Sequence, residues 1–180
     1  TGALIFNRMM VPERLTSAAG SLGARAVLET AMKYSDKRKA FGSKIRNFQG
    51  VNFKVAECLT KLDAARGIVY MAAKQADLDP DARETRRLVS EAKFFATQAA
   101  WEIVNDAMQI LGGIGYTYVY PVERALRDTR LGLIWTGSNE VMKMLVQHEA
   151  YKKLLAEEGK DRDLELDAIE AHKVAEKVFG

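Results

Sequence analysis

Thiol and imidazole are nearly missing from this chain of 180 residues, which has one cysteine and two histidines. A single thiol, Cys58, closes no internal disulfide, and in a helical apolar stripe it reads as packing rather than as a nucleophile. His148 and His172 find no second cysteine or spaced carboxylate to complete a ligand set, which speaks against zinc or iron chemistry. Proline is almost as scarce, three in all, and the short alternating runs of an all-β protein are absent. No apolar run reaches membrane-spanning length and no cleavable leader precedes the first helical stretch, so membrane insertion is not expected. Charge of one sign is never gathered either. The 27 basic and 24 acidic residues, net +3, are interspersed, as on a solvated helix surface and unlike a nucleic-acid-binding face. The reading is a soluble chain of a reducing compartment. Because Thr1-Gly2-Ala3 lacks an initiator methionine, it is also read as a piece of something longer.

What is present is helical period. With 48% apolar residues the chain can fill one core. A first helix is expected from about residue 4 to 35, with Pro12 at its start or at a kink. Leu15, Ala19, Leu22 and Ala26 follow the period, although residues 4 to 11 also fit a strand ending at the proline. A second helix, from about 48 to 76, carries Val51, Val55, Cys58, Leu62, Ala65 and Val69 at helical spacing. Asp79-Pro80 reads as the cap and first position of a third, whose stripe from Leu88 to Ile110 stops at Gly112-Gly113. A short charged helix over 121–130 precedes a fourth long one over 138–155, with Val141, Met144, Leu145 and His148 expected inward. These segments predict an all-α, up-down four-helix bundle over residues 1–156, followed by a charged tail, 157–180, with a short helix near its end.

Residues 109 to 141 are hardest to explain as packing. Glycines flanked by Tyr116, Tyr118 and Tyr120, and the step Trp135-Thr136-Gly137-Ser138, let backbone N–H groups approach a flat or phosphorylated ligand, since glycine has no Cβ to hold it away. Each piece alone also has a plain structural reading as a helix stop, a turn or a cap. A basic turn at Lys37-Arg38 is likewise suited to a helix C-terminus, while the Arg38 guanidinium is suited to phosphate.

Three elements occur together and in order: Arg38-Lys39-Ala40-Phe41-Gly42 with Gln49; Gln109-Ile110-Leu111-Gly112-Gly113 with Gly115-Tyr116; and Tyr120-Pro121 through Arg127-Asp128 to Trp135-Thr136-Gly137-Ser138-Asn139-Glu140. On these the chain resembles, over residues 2–156, the C-terminal helical domain of the FAD-dependent acyl-CoA dehydrogenases. The resemblance implies an amino-terminal helical domain and a β-domain ahead of this one, and FAD lying across the interface of a homodimer or tetramer. Arg38, Phe41, Gln49, Gln109, Gly112 and Gly113 match positions that meet the neighbouring subunit's FAD; Ser138 and Glu140 match positions near the subunit's own. The implied reaction is α,β-dehydrogenation of an acyl-CoA. A carboxylate takes the α-proton and the β-hydrogen leaves as hydride to the flavin, while a backbone N–H at Thr136 holds the thioester oxygen.

Most members carry the base glutamate where this chain has Thr136, and threonine cannot serve. The isovaleryl-CoA and long-chain branches place theirs on the first helix in a Glu-Arg-Leu setting, matched here by Glu13-Arg14-Leu15. Glu13 is therefore the expected base, with Arg14 and Gly137 expected near substrate. Electron-transferring flavoprotein is the implied partner, and a bacterial cytoplasm or mitochondrial matrix the implied location. An oxidase-like relative and a non-catalytic helical interaction module are the alternatives. The isolated chain is expected to be inactive.

Overall fold

A computed structural model describes the backbone of residues 2–156 and the side chains of residues 9–156. The expected tail, 157–180, lies outside the described residues. Six α-helices run in the order α1 (Gly2–Ser21), α2 (Ala24–Lys37), α3 (Gln49–Leu78), α4 (Arg83–Leu111), α5 (Val122–Gly132) and α6 (Asn139–Ala156).

The expected first helix is two helices, with the strand alternative replaced by helical backbone and Pro12 inside α1. At the break, Leu22 and Gly23 donate to carbonyls three residues back rather than four, Ala19 and Gly20. Gly20 and Gly23 favour this tightening because glycine is the weakest ordinary helix former in an interior position. The inward face of α1 is Val11, Arg14 and Ala18; Ala19 of α1 and Ala26 of α2 are exposed.

Ion pairs and one hydrogen bond fix the directions. Lys54 meets Asp106 at 2.6 Å and Lys61 meets Glu102 at 2.7 Å, so α3 runs antiparallel to α4. Arg86 reaches Glu149 at 3.4 Å and Lys93 reaches Asn139 at 2.9 Å, so α6 also opposes α4. With α1 and α2 forming one broken arm alongside α4, the four arms run up, down, up, down. The centre is α4, against which α1, α2, α3, α5 and α6 all pack. Its alanines at 92, 96, 99, 100 and 107 are buried, which lets neighbouring helices approach closely. Of its expected stripe only Phe95 is turned outward, at 37% exposure.

Three local expectations are corrected. First, Asp79 does not cap α4: its Oδ1 accepts the N–H groups of Asp81 and Ala82 in a turn that follows α3, and Ala82 is the residue before α4. Second, α6 presents Asn139, Met142 and Glu149 to α4, while Val141, Met144 and His148 face outward and Leu145 is half-buried. Third, a minimal antiparallel pair, β1 (Lys39–Ala40) and β2 (Ser43–Lys44), interrupts the helices with Lys39 opposite Lys44. Its turn residues Phe41 and Gly42 have φ of 50° and 78°, as a type I′ hairpin requires.

Candidate active site

One face of α1 lies opposite the turn between α5 and α6. Glu13, Thr16 and Ser17 from α1, with Asp128, Trp135 and Thr136 from α5 and that turn, line a cavity of about 810 Å³. The helical period explains the α1 side, because Pro12, Glu13, Thr16 and Gly20 occupy the face left free when Val11, Arg14 and Ala18 turn into the core. The wall is tied across the opening by Trp135, whose Nε1 donates to Ser17 Oγ at 3.1 Å.

The Trp135-Thr136-Gly137 turn is unusual backbone. Thr136 has φ of 52°, a genuine outlier for a β-branched residue, and Gly137 has φ of 89°. A Cβ at Gly137 would sit 2.6 Å from Met142 Cε, the flexible end of that side chain, so it is chiefly the conformation that calls for glycine there. Among the described residues the Thr136 N–H donates no hydrogen bond, and its buried Oγ1 has no partner either. Beneath the turn lies Lys93, wholly buried. Its Nζ donates to the carbonyl oxygen of Gly137 at 2.8 Å and to Asn139 Oδ1 at 2.9 Å. Burial, aided by the Arg14 charge and opposed by Glu140, lowers the Lys93 pKa to about 8. Sequence reading passed over Lys93, although its signal was available: a lysine in phase with Val89, Ala96 and Ala100 on a buried helical face.

Glu13 and Thr136 thus share one cavity. Arg14, expected near substrate, does not line it. That side chain is 4% exposed and its Nη1 donates to Ser90 Oγ at 3.0 Å, with Met10 Sδ 3.1 Å from Nη2. Burial holds its guanidinium below the ordinary arginine pKa, against the opposing pull of Glu13. Gly137 shapes the turn from behind rather than forming the wall. Ser138 and Glu140 stand at the start of α6, where the Glu140 N–H and the Ser138 side chain hold the Glu140 carboxyl below its usual range.

The remaining predicted residues gather at the opposite end of α4. Arg38, Phe41 and Gln49 follow α2 and open α3; Gln109, Gly112 and Gly113 close α4. The pairing of Lys54 with Asp106, and the 5.9 Å edge contact of Tyr34 with Tyr120, bring these helix ends together. All six are exposed, Phe41 at 98%. Gly112 has φ of 65° and ψ of −148°, outside the left-handed helical stop expected for it and open in practice only to glycine. A Cβ at Gly113 would meet open space, so packing within this chain does not account for its smallness. Bare glycine backbone at the same end of the bundle as an exposed aromatic and an arginine is compatible with a flat, pyrophosphate-bearing cofactor such as FAD.

Residues 1–151 match the family described as acyl-CoA dehydrogenase, C-terminal domain. The chain is 42% identical over 140 residues to a 3-(aryl)acrylate reductase of Clostridium sporogenes, covering 77% of this chain and 36% of the relative. It is 40% identical over 141 residues to the caffeyl-CoA reductase-Etf complex subunit CarC of Acetobacterium woodii, covering 78% and 36%. The structure of butyryl-CoA dehydrogenase from Megasphaera elsdenii superposes with a TM-score of 0.75 at 34% identity, covering 81% of this chain and 38% of that one. The chain therefore spans little more than a third of the curated relatives it matches. Among the described residues no helix is long and apolar enough to cross a membrane.

Proposed function

Because this chain belongs to the acyl-CoA dehydrogenase C-terminal domain family, matched over residues 1–151, we propose that it is the helical part of an FAD-dependent enzyme that dehydrogenates acyl-CoA thioesters between the α and β carbons. The observation that supports this most is the meeting of Glu13 and Thr136 on one cavity. In this reading the thioester enters the cavity with its carbonyl oxygen toward the free Thr136 N–H and its α-carbon toward Glu13.

Glu13 removes the α-proton as general base. The Thr136 N–H stabilises the negative charge that develops on the carbonyl oxygen, a contribution that grows as water is excluded. FAD, when bound, supplies the acceptor for the β-hydride. Ser138 and Glu140 are assigned to this subunit's cofactor, and Arg38, Phe41, Gln49, Gln109, Gly112 and Gly113 to a neighbouring subunit's, which makes a homo-oligomer, dimer or tetramer, part of the reading.

Glu13→Gln in the intact flavoprotein tests it. Flavin bleaching by an acyl-CoA that the wild type oxidises should fall by about 10²–10⁴-fold, with the FAD content of the purified protein unchanged. Bleaching at the wild-type rate would remove Glu13 from the role. A second reading runs the same site in reverse, with Glu13 returning a proton to the α-carbon of an acrylate-type thioester. The name of the Clostridium sporogenes relative favours it, and that of the Acetobacterium woodii relative favours electron-transferring flavoprotein as the electron partner. Comparing cinnamoyl-CoA reduction with phenylpropionyl-CoA oxidation at a fixed donor and acceptor potential separates the two directions.

A further inference from the structure

Lys93 is chemically out of place as packing. Its ammonium is wholly buried, and its two hydrogen-bond acceptors, the Gly137 carbonyl and Asn139 Oδ1, are both neutral. Among the described residues no carboxylate forms an ion pair with it. Burying an uncompensated charge is costly, and well-packed apolar replacements of similar volume are often at least as stable. Stability alone is therefore a poor account of a lysine here.

Its contacts are specific to the turn above it. Nζ reaches the carbonyl of Gly137, directly after the strained Thr136, and through Asn139 it reaches the first residue of α6. Asn139 is held in turn by Thr97, 3.1 Å from its Nδ2, and by its own N–H donating to the Leu133 carbonyl at 3.0 Å. The turn's own backbone bonds run from Ile134, Trp135 and Asn139 to Leu131 and Leu133 and leave Thr136 itself unheld, its hydroxyl without a partner. A backbone in a sparsely populated region persists only where its surroundings over-determine it.

We propose that Lys93 is a positioning residue: by pinning the Gly137 carbonyl from below, it holds the turn in the conformation that presents the Thr136 N–H to the cavity. This rests on the reading that this N–H receives the thioester oxygen. Lys93 touches no substrate itself, and acts by charge-assisted hydrogen bonds that methionine cannot make and glutamine makes only in neutral form.

Lys93→Met in the intact flavoprotein carries the test, read first by amide hydrogen exchange, which needs no ligand. Exchange of residues 134–138 should rise by about tenfold or more, as expected for loss of a hydrogen bond to a charged group, while α4 and α6 away from the turn keep their protection and the melting temperature does not fall. With butyryl-CoA, or whichever acyl-CoA the wild type oxidises, kcat should fall by about 10²-fold with KM little changed, and Lys93→Gln should recover part of both losses. Unchanged exchange in the turn overturns the proposal, whatever happens to kcat. Exchange that rises while kcat holds supports Lys93 as the support of the turn and instead sinks the assignment of the Thr136 N–H to the thioester. Failure of both variants to fold would make Lys93 a core support only, and overturns the proposal as well.

Discussion

Lys93 and Cys58 are both shut away from water, and burial displaces each toward its uncharged form. For Lys93 the folded-state pKa near 8 lies below the ordinary 10.5. Between those values the unfolded chain binds more protons than the folded one, so this group's contribution to stability rises with pH. The unfolding free energy of the wild type, relative to Lys93→Met, should therefore increase by about 1 kcal/mol from pH 7 to pH 9; a flat or falling difference in urea titrations would show that the ammonium is not desolvated. Cys58 moves the other way on the pH axis, from 9.0 to about 11, because burial and the nearby Asp106 carboxylate oppose the thiolate. Its Sγ lies 3.9 Å from Asp106 Oδ2. The folded state keeps the proton longer, so stability from this thiol is lost as pH climbs through that window. A disulfide-exchange reagent at pH 8 should label Cys58 on the order of 10³-fold more slowly than a free thiol. Labelling at the free-thiol rate would contradict its burial.

Among elements, the turn between α5 and α6 is where the chain departs furthest from regular backbone. Gly137→Ala meets two obstacles, a φ of 89° and the Met142 Cε at 2.6 Å. The expected loss is about 1–3 kcal/mol in chemical unfolding. Adding Met142→Ala removes the clash but not the strain, so a double variant as stable as Met142→Ala alone would show that conformation contributes nothing. The phase of α6 shows how a helix can be legible while its faces are not. Val141, Met144, Leu145 and His148 form one plausible stripe, and Asn139, Met142 and Glu149 another that mixes polar with apolar. The second faces α4, because Asn139 is bonded to Lys93 and Thr97, and Glu149 lies near Arg86. A polar anchor of that kind leaves no hydrophobic period to read.

At the scale of the whole molecule, the bundle exposes more large apolar side chains than one packed subunit needs. Phe41 is 98% exposed, Tyr118 87%, Tyr116 80% and Met144 68%. Surface of that kind belongs to interfaces or ligand sites. The 180-residue chain by itself should therefore associate in sedimentation velocity, and should carry no stoichiometric flavin absorbance, since it matches only 36% of the length of these relatives. A monodisperse monomer saturated with FAD would contradict both expectations. The sequence by itself determined the helical class and the long arms α3 and α4, because helical period is a local property of the chain, and it pointed to Glu13, Arg38, Phe41, Gln49, Gln109 and Thr136 through the family resemblance that its short motifs carry. Only the tertiary structure decided that Glu13 and Thr136 share a cavity while Arg14 turns into the core, that the first arm breaks at Leu22-Gly23, and that Lys93 lies under the Thr136 turn. Each of these depends on which face of one helix meets another, and that is settled by competition among buried contacts far apart in sequence rather than by any residue's neighbours along the chain.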